Sequence, residues 1–189
     1  MRAMTQSAAQ SPASLSISIV LHHSDLALLN TLLQSLATAV TAARTAGGLD
    51  QVVLTLVDNS CDEGYHGKLQ AMVASMQVSP APQLVASPEN PGFGAGHNRV
   101  INAVSSDYHL VLNPDVVLGP DALSTGLRWL QANPDVLLLS PFVESPTGQQ
   151  DFLCKRYPSV WVLLLRAFAP TVVKRRFDRA LAEYECRDV

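Results

Sequence analysis

The chain has 189 residues, 48% of them hydrophobic and 15% charged, which is enough apolar sequence for one sizeable core. A formal net charge of −3 provides no electrostatic footprint for nucleic acid, so no nucleic-acid partner is expected. The three cysteines, Cys61, Cys154 and Cys186, are odd in number and far apart. They lack metal-ligand spacing and fit a reducing, cytoplasmic setting better than a disulfide framework.

In chain order, Met1 to Ala13 is a polar, small-residue stretch without the apolar core of a signal peptide, read as a disordered lead-in. Ser14 to Leu21 (SLSISIVL) reads as a first strand ending in His22-His23-Ser24-Asp25, with Ser24 or Asp25 as N-cap of the next helix. Leu26 to Thr45 carries an apolar stripe of helical period, and Gly47-Gly48 stops it. Gln51 to Val57 (QVVLTLV) is a β-branched second strand followed by Asp58-Asn59-Ser60. A helix over about Tyr65 to Met76 and a weak strand over Gln83 to Ala86 follow.

The central stretch runs from Glu89 to Leu118. Gly92, Gly94 and Gly96 alternate, predicting a loop with positive φ and close approach to a ligand. Gly96 to Ser105 reads as a helix with Val100, Ile101 and Val104 on one face, and Tyr108 to Leu112 as a buried strand delivering Asn113, Pro114 and Asp115. Asp121 is placed to cap a helix through Ala132. Asp135 to Leu139 reads as another strand, and Pro141 to Gln150 as a turn or hairpin. Ser159 to Phe168 and Thr171 to Tyr184 read as closing helices. No run approaches the length of a transmembrane helix. The apolar Trp161 to Phe168 segment reads as a core or interface helix, with a peripheral membrane contact as the alternative.

Alternating strands and helices predict an α/β fold with a mostly parallel sheet covered by helices on both faces. His22 to Asp25, Asp58 to Ser60 and Asn113 to Asp115 each follow a strand, so all three project from one sheet edge. Alone, Asp58 reads as a turn or cap residue, and Asp115 equally as a turn residue or a functional one. His97 and Asn98 either contact a ligand or cap their helix. Together with the glycines, the clusters point to a nucleotide-type ligand. A dinucleotide fingerprint is the competing pattern, but its third glycine falls on His97.

These residues resemble a family 2 glycosyltransferase of the GT-A, Rossmann-like fold, in its rhamnosyltransferase-like branch. The match rests on the polar turn at His22-His23, V-D-N-S at Val57 to Ser60, N-P-G-F-G-A-G-H-N-R at Asn90 to Arg99, and L-N-P-D-V at Leu112 to Val116. It covers roughly Leu15 to Tyr157. The resemblance implies a donor-binding domain over residues 14–157, followed by C-terminal helices at 158–189 that begin an acceptor region.

It further implies transfer of a sugar from a nucleotide-sugar donor, of dTDP-rhamnose or UDP-sugar type, to a glycan or lipid-linked acceptor in cell-surface polysaccharide synthesis. The family's usual mechanism inverts the anomeric centre. Asp58 would contact the nucleotide base, helped by His22 and Asn59. Gly92, Phe93, Gly94, Gly96 and Asn98 would lie along the nucleotide and sugar, and Asn113 would stand beside Asp115, which would bind Mg²⁺ or Mn²⁺. Asn113 replaces the first carboxylate of a full D-x-D, and no segment after Asp151 matches the family's acceptor region with its catalytic base. The base is therefore expected outside this chain. The alternatives are a catalytically incomplete nucleotide-sugar-binding or interaction module and, further off, an NAD(P)-binding oxidoreductase domain. Apolar surface around Val160 to Leu165 makes a homodimer an expectation too.

Overall fold

A computed structural model describes residues 11–145, 148–150, 156–157, 159–170, 176–184 and 186. The lead-in through residue 10, Cys154, and the start of the last expected helix at Thr171 lie outside them. The chain divides into two compact units, Met1–Pro134 and Asp135–Val189.

The first unit is built on a four-stranded, wholly parallel sheet in the order β3-β2-β1-β4. Its strands are β1 (Ala13–Leu21), β2 (Leu49–Asp58), β3 (Pro82–Ala86) and β4 (Tyr108–Leu112). Ala13 belongs to β1 rather than to the lead-in, because its amide bonds the Gly48 carbonyl at 3.1 Å. The helices are α1 (Leu26–Thr45), α2 (Glu63–Ser75), α3 (Phe93–Ile101) and α4 (Ala122–Ala132).

Alternation along β1 sorts the helices into two layers. Ile17, Ile19 and Leu21 point into the main core, with Leu29, Leu32, Leu33 and Leu36 of α1, Leu69 of α2, and Leu123 and Leu127 of α4. Val20 points the other way, onto Val57 and Val100 of α3. The expected parallel α/β sheet, covered on both faces, is therefore present.

Asp25 is the cap of α1, its carboxylate accepting from the amides of Ala27 and Leu28. Gly47, at φ 74°, turns the chain at the other end, with its amide on the Arg44 carbonyl and the next amide on that of Ala43. By length and composition α1 does reach the size of a membrane span, contrary to the sequence reading. One of its sides packs into the core through Leu29, Leu32, Leu33, Leu36, Ala39, Val40 and Ala43.

Two expectations fail. Asp121 stands at the start of α4 but its side chain makes no capping bond. Asp135 to Leu139 is not a strand: no partner strand pairs with it among the described residues, and Leu137 and Leu138 are almost fully exposed. An apolar run needs a hydrogen-bonded neighbour to become a strand, and composition alone does not supply one.

The second unit holds an antiparallel bridge between Glu144 and Gln150 in the expected hairpin. It also contains α5 (Val160–Phe168), capped by Ser159, and α6 (Asp178–Tyr184). Val162, Leu165 and Leu181 form its small core.

Candidate functional site at the carboxyl edge of the sheet

Register brings the strand ends together. Leu21 is level with Asp58, Asp58 with Ala86, and Ile19 with Leu112. The Asn59 amide bonds the Leu21 carbonyl at 2.8 Å and the Ser87 amide bonds that of Asp58 at 2.9 Å. His22, Asp58, Asn59, Asn113 and Asp115 therefore all lie along one edge. The chain leaves β1 toward β2 on one side and returns as β4 on the other, which makes this edge a topological switch point, the usual ligand crevice of such sheets.

Asp58 is buried, with Oδ1 accepting from the Ser60 amide at 2.9 Å and Oδ2 2.8 Å from His66 Nδ1. Burial raises its pKa, but the hydrogen bonds from Ser60 and His66 and the His66 charge outweigh this and hold it below the usual carboxylate value. His66 is a residue the sequence reading missed. The Asp62 carboxylate accepts from the amides of Gly64 and Tyr65 and so starts α2 where its first turn delivers His66 to Asp58. The Tyr65 hydroxyl also reaches the Ser24 carbonyl, tying α2 to the turn after β1.

His22 is exposed and its Nδ1 meets the Asn59 carbonyl at 3.2 Å. His23 and Cys61, following β1 and β2, both hold positive φ, 52° and 56°. For residues that carry a Cβ this is stored backbone strain, and within the first unit both of the described residues that carry it follow strands at this edge.

The glycine stretch differs from its prediction. Only Gly92 is non-helical, at φ 90° and ψ 173°, a region essentially reserved for glycine. α3 starts at Phe93, so Gly94 and Gly96 are helical and the helix ends at Ile101 instead of Ser105. Gly94 is exposed, with open space where a Cβ would stand. Gly96 is buried, and a Cβ there would meet Val20 at 2.8 Å and Asn59 Nδ2 at 3.2 Å. The close approach is thus between helix and strand. Asn59 Nδ2 donates to the Gly92 carbonyl at 3.2 Å, locking the turn to the end of β2. No side chain caps α3, so the amides of its first turn have no side-chain partner, while the Gly92 amide just before them donates to Asn90 Oδ1 at 3.0 Å.

Phe93 is half-exposed and Asn98 exposed, whereas Ile101 faces solvent instead of sharing the buried side of Val100. His97 is buried under α3, its Nδ1 2.7 Å from Ser18 Oγ, and caps nothing. Ser18 Oγ also meets His109 Nε2, and Ser16 Oγ meets His109 Nδ1, each at 2.7 Å. Burial lowers the pKa of both imidazoles, and at His97 the repulsion that a protonated His109 would exert adds to the effect.

Asn113 and Asp115 are exposed at the end of β4, and Asp115 makes no hydrogen bond or ion pair with the described residues. Among those residues no three His, Cys, Asp or Glu side chains are grouped to hold a metal. One free carboxylate beside an amide oxygen is nevertheless a fitting donor set for a hard cation that takes its remaining ligands from phosphates and water.

The family model described as glycosyl transferase family 2 matches residues 19–181. No curated protein sequence matches the chain. Among solved structures, the chain is similar to the mannosyltransferase PcManGT from Pyrobaculum calidifontis in complex with GDP-Man and Mn²⁺. That likeness has a TM-score of 0.53 and 16% identity, over 66% of this chain and 34% of that one. It is also similar to S. aureus TarS 1-349, with a TM-score of 0.49 and 13% identity, over 64% of this chain and 33% of that one. The chain thus spans about a third of the length of these two proteins, and at such identities the first likeness speaks for the fold.

Two predictions follow from this geometry. Gly94→Ala should leave stability unchanged or raise it by roughly 0.5–1 kcal/mol through helix propensity. Gly92→Ala and Gly96→Ala should each lower it by about 1–3 kcal/mol, the first by strain and the second by overpacking. Urea unfolding of the three variants checks this, and equal midpoints would contradict it.

The second prediction concerns pH. His97 and His109 have folded-state pKa values below the ordinary 6.5. The unfolded chain therefore binds more protons, and the stability they contribute is present above about pH 6.5 and lost as pH falls below it. Asp58 loses its contribution only at far lower pH, since its folded value lies under 3.8. Thermal midpoints should fall between pH 7.5 and 5.5, and the fall should be smaller in His109→Gln. Equal slopes in parent and variant would count against it.

Proposed function

Because this chain belongs to glycosyl transferase family 2, we propose that its carboxyl sheet edge binds a nucleotide sugar for transfer to a hydroxyl of a glycan or lipid-linked acceptor. The observation carrying this reading is the convergence of three features on one edge: the Asp58–Asn59 turn, the uncapped start of α3 and the free carboxylate of Asp115.

Each feature suits a different part of such a ligand. Asp58, kept ionised by Ser60 and His66, retains unused lone pairs to accept base N–H groups. The first amides of α3, uncapped by any side chain, form a positive helix end that suits a diphosphate. Asp115, with Asn113 beside it, would hold Mg²⁺ or Mn²⁺. A cation held there offsets the negative charge that grows on the leaving diphosphate. The dTDP- or UDP-linked donor class and a role in polysaccharide synthesis belong to the same proposal. A dinucleotide site is disfavoured, because His97 fills the place of the third fingerprint glycine and is packed on Ser18.

The exposed apolar side chains of α5, Val160, Trp161, Leu163, Leu164 and Phe168, support an apolar contact, either peripheral to a membrane or with a second copy of the chain. A cytoplasmic location belongs to the same proposal.

Calorimetry with UDP-glucose, GDP-mannose and dTDP-rhamnose, each with and without Mn²⁺, tests the reading. Asp115→Ala should weaken Mn²⁺-dependent binding by about tenfold or more and leave the thermal midpoint unchanged. The same Mn²⁺ dependence in variant and parent would contradict the metal role.

A further inference from the structure

With both imidazoles neutral, hydrogen-bond accounting through the polar core on the α3 side of the sheet has a single solution. Ser106 Oγ donates its one hydrogen to the Tyr108 carbonyl at 2.8 Å. Toward Ser16 Oγ, 2.7 Å away, it can only accept, so Ser16 is the donor there. Ser16 then has no hydrogen left for His109 Nδ1 and must accept from it. At pH 7.5 His109, its pKa lowered from the ordinary value by partial burial, is neutral, so a protonated Nδ1 leaves Nε2 bare and Ser18 donates to it. Ser18 in turn accepts from His97 Nδ1. Neutral His97 is left with a bare Nε2, which is buried and meets no hydrogen-bond partner.

A buried acceptor without a donor is costly, and such groups are rare in folded proteins. The aromatic ring packed on this imidazole is that of Phe93, edge-on with ring centroids 4.4 Å apart and half its surface exposed. On the same side, Val111 of β4 is also about half exposed, two residues before Asn113.

We propose that the chain Ser106–Ser16–His109–Ser18 locks His97 in its Nδ1–H tautomer, so that Nε2 accepts a hydrogen bond from a hydroxyl of the bound nucleotide sugar when Phe93 turns aside. This rests on the nucleotide-sugar reading above. The ligand chemistry follows from the site. A neutral, acceptor-only nitrogen takes O–H or N–H and rejects the phosphates, which have no hydrogen to give. An exposed aromatic ring beside it suits the C–H face of a sugar. His97 is thereby a specificity-determining contact, favouring a donor that carries a hydroxyl at that position over its deoxy analogue.

The test uses the full chain with ¹⁵N-labelled histidine. NMR of the ligand-free protein at pH 7.5 should show His97 as the Nδ1–H tautomer. Ser106→Ala, remote from the edge, frees the Ser16 hydrogen and should introduce the Nε2–H form. A parent in the Nε2–H form, or a variant with an unchanged spectrum, would overturn the lock.

UDP-glucose, GDP-mannose and dTDP-rhamnose, each with Mg²⁺, are then titrated. The one that binds should shift the His97 Nε2 resonance. His97→Asn, which keeps a donor for Ser18 but removes Nε2, should bind it roughly tenfold more weakly, and His97→Gln should recover most of the loss. Binding with an unmoved Nε2 resonance and equal affinity in His97→Asn would overturn this contact alone, leaving a buried water as its partner. No binding of any of the three would overturn the nucleotide-sugar reading, and this proposal with it.

Discussion

The packing of Gly96 on Val20 and Asn59 sets the geometry of the whole edge. A single added carbon at residue 96 would meet Val20 at 2.8 Å, closer than packed atoms tolerate. Only a hydrogen at that point lets α3 lie down on β1 and β2. From this contact come the position of the Gly92 turn, the reach of Asn59 Nδ2 to the Gly92 carbonyl, and the burial of His97 over Ser18. One steric constraint therefore links the packing to the polar geometry of the site.

The two faces of β1 do different work. The α1 side is wholly apolar, and Ile17, Ile19 and Leu21 supply a core of ordinary character. The α3 side carries Ser16 and Ser18, both buried, and nearly every polar atom there is answered by another side chain. Such a network gives less hydrophobic stabilisation than leucines would, but it specifies orientation. Strain at His23 and Cys61 and the buried Asp58–His66 pair lie at the same end of the sheet. Polar placement and backbone strain thus concentrate where the proposed ligand sits, while the opposite side of the sheet supplies stability.

Much of this fold was legible in the sequence because hydrophobic period determines it. α1 and β4 fall on their expected limits, and the three polar clusters reach one edge because parallel strands leave no other choice. The glycine stretch was misread for a physical reason. Alternating glycines look like a loop to local propensity, but packing on Val20 makes one of them a helix-to-strand contact and draws the helix start back to Phe93. The run after Asp135 was misread because apolar composition does not reveal whether a partner strand exists. His109 was invisible because its partner is set by strand register, Ser16 lying 93 residues away, and His66 because it meets Asp58 only through the first turn of a helix started by Asp62. One signal was available, since Ser16 and Ser18 in SLSISIVL are polar residues on a buried strand and must find partners.

The most direct test of the central claim is a thermal-shift screen of the whole chain against dTDP-, UDP- and GDP-sugars, each with and without Mn²⁺. Anything that binds the folded state alone raises its melting temperature by mass action. The account predicts a rise for one nucleotide class that is larger when Mn²⁺ is present. No rise with any of them, at concentrations where nucleotide sugars saturate such sites, would contradict the assignment of this edge as a donor site.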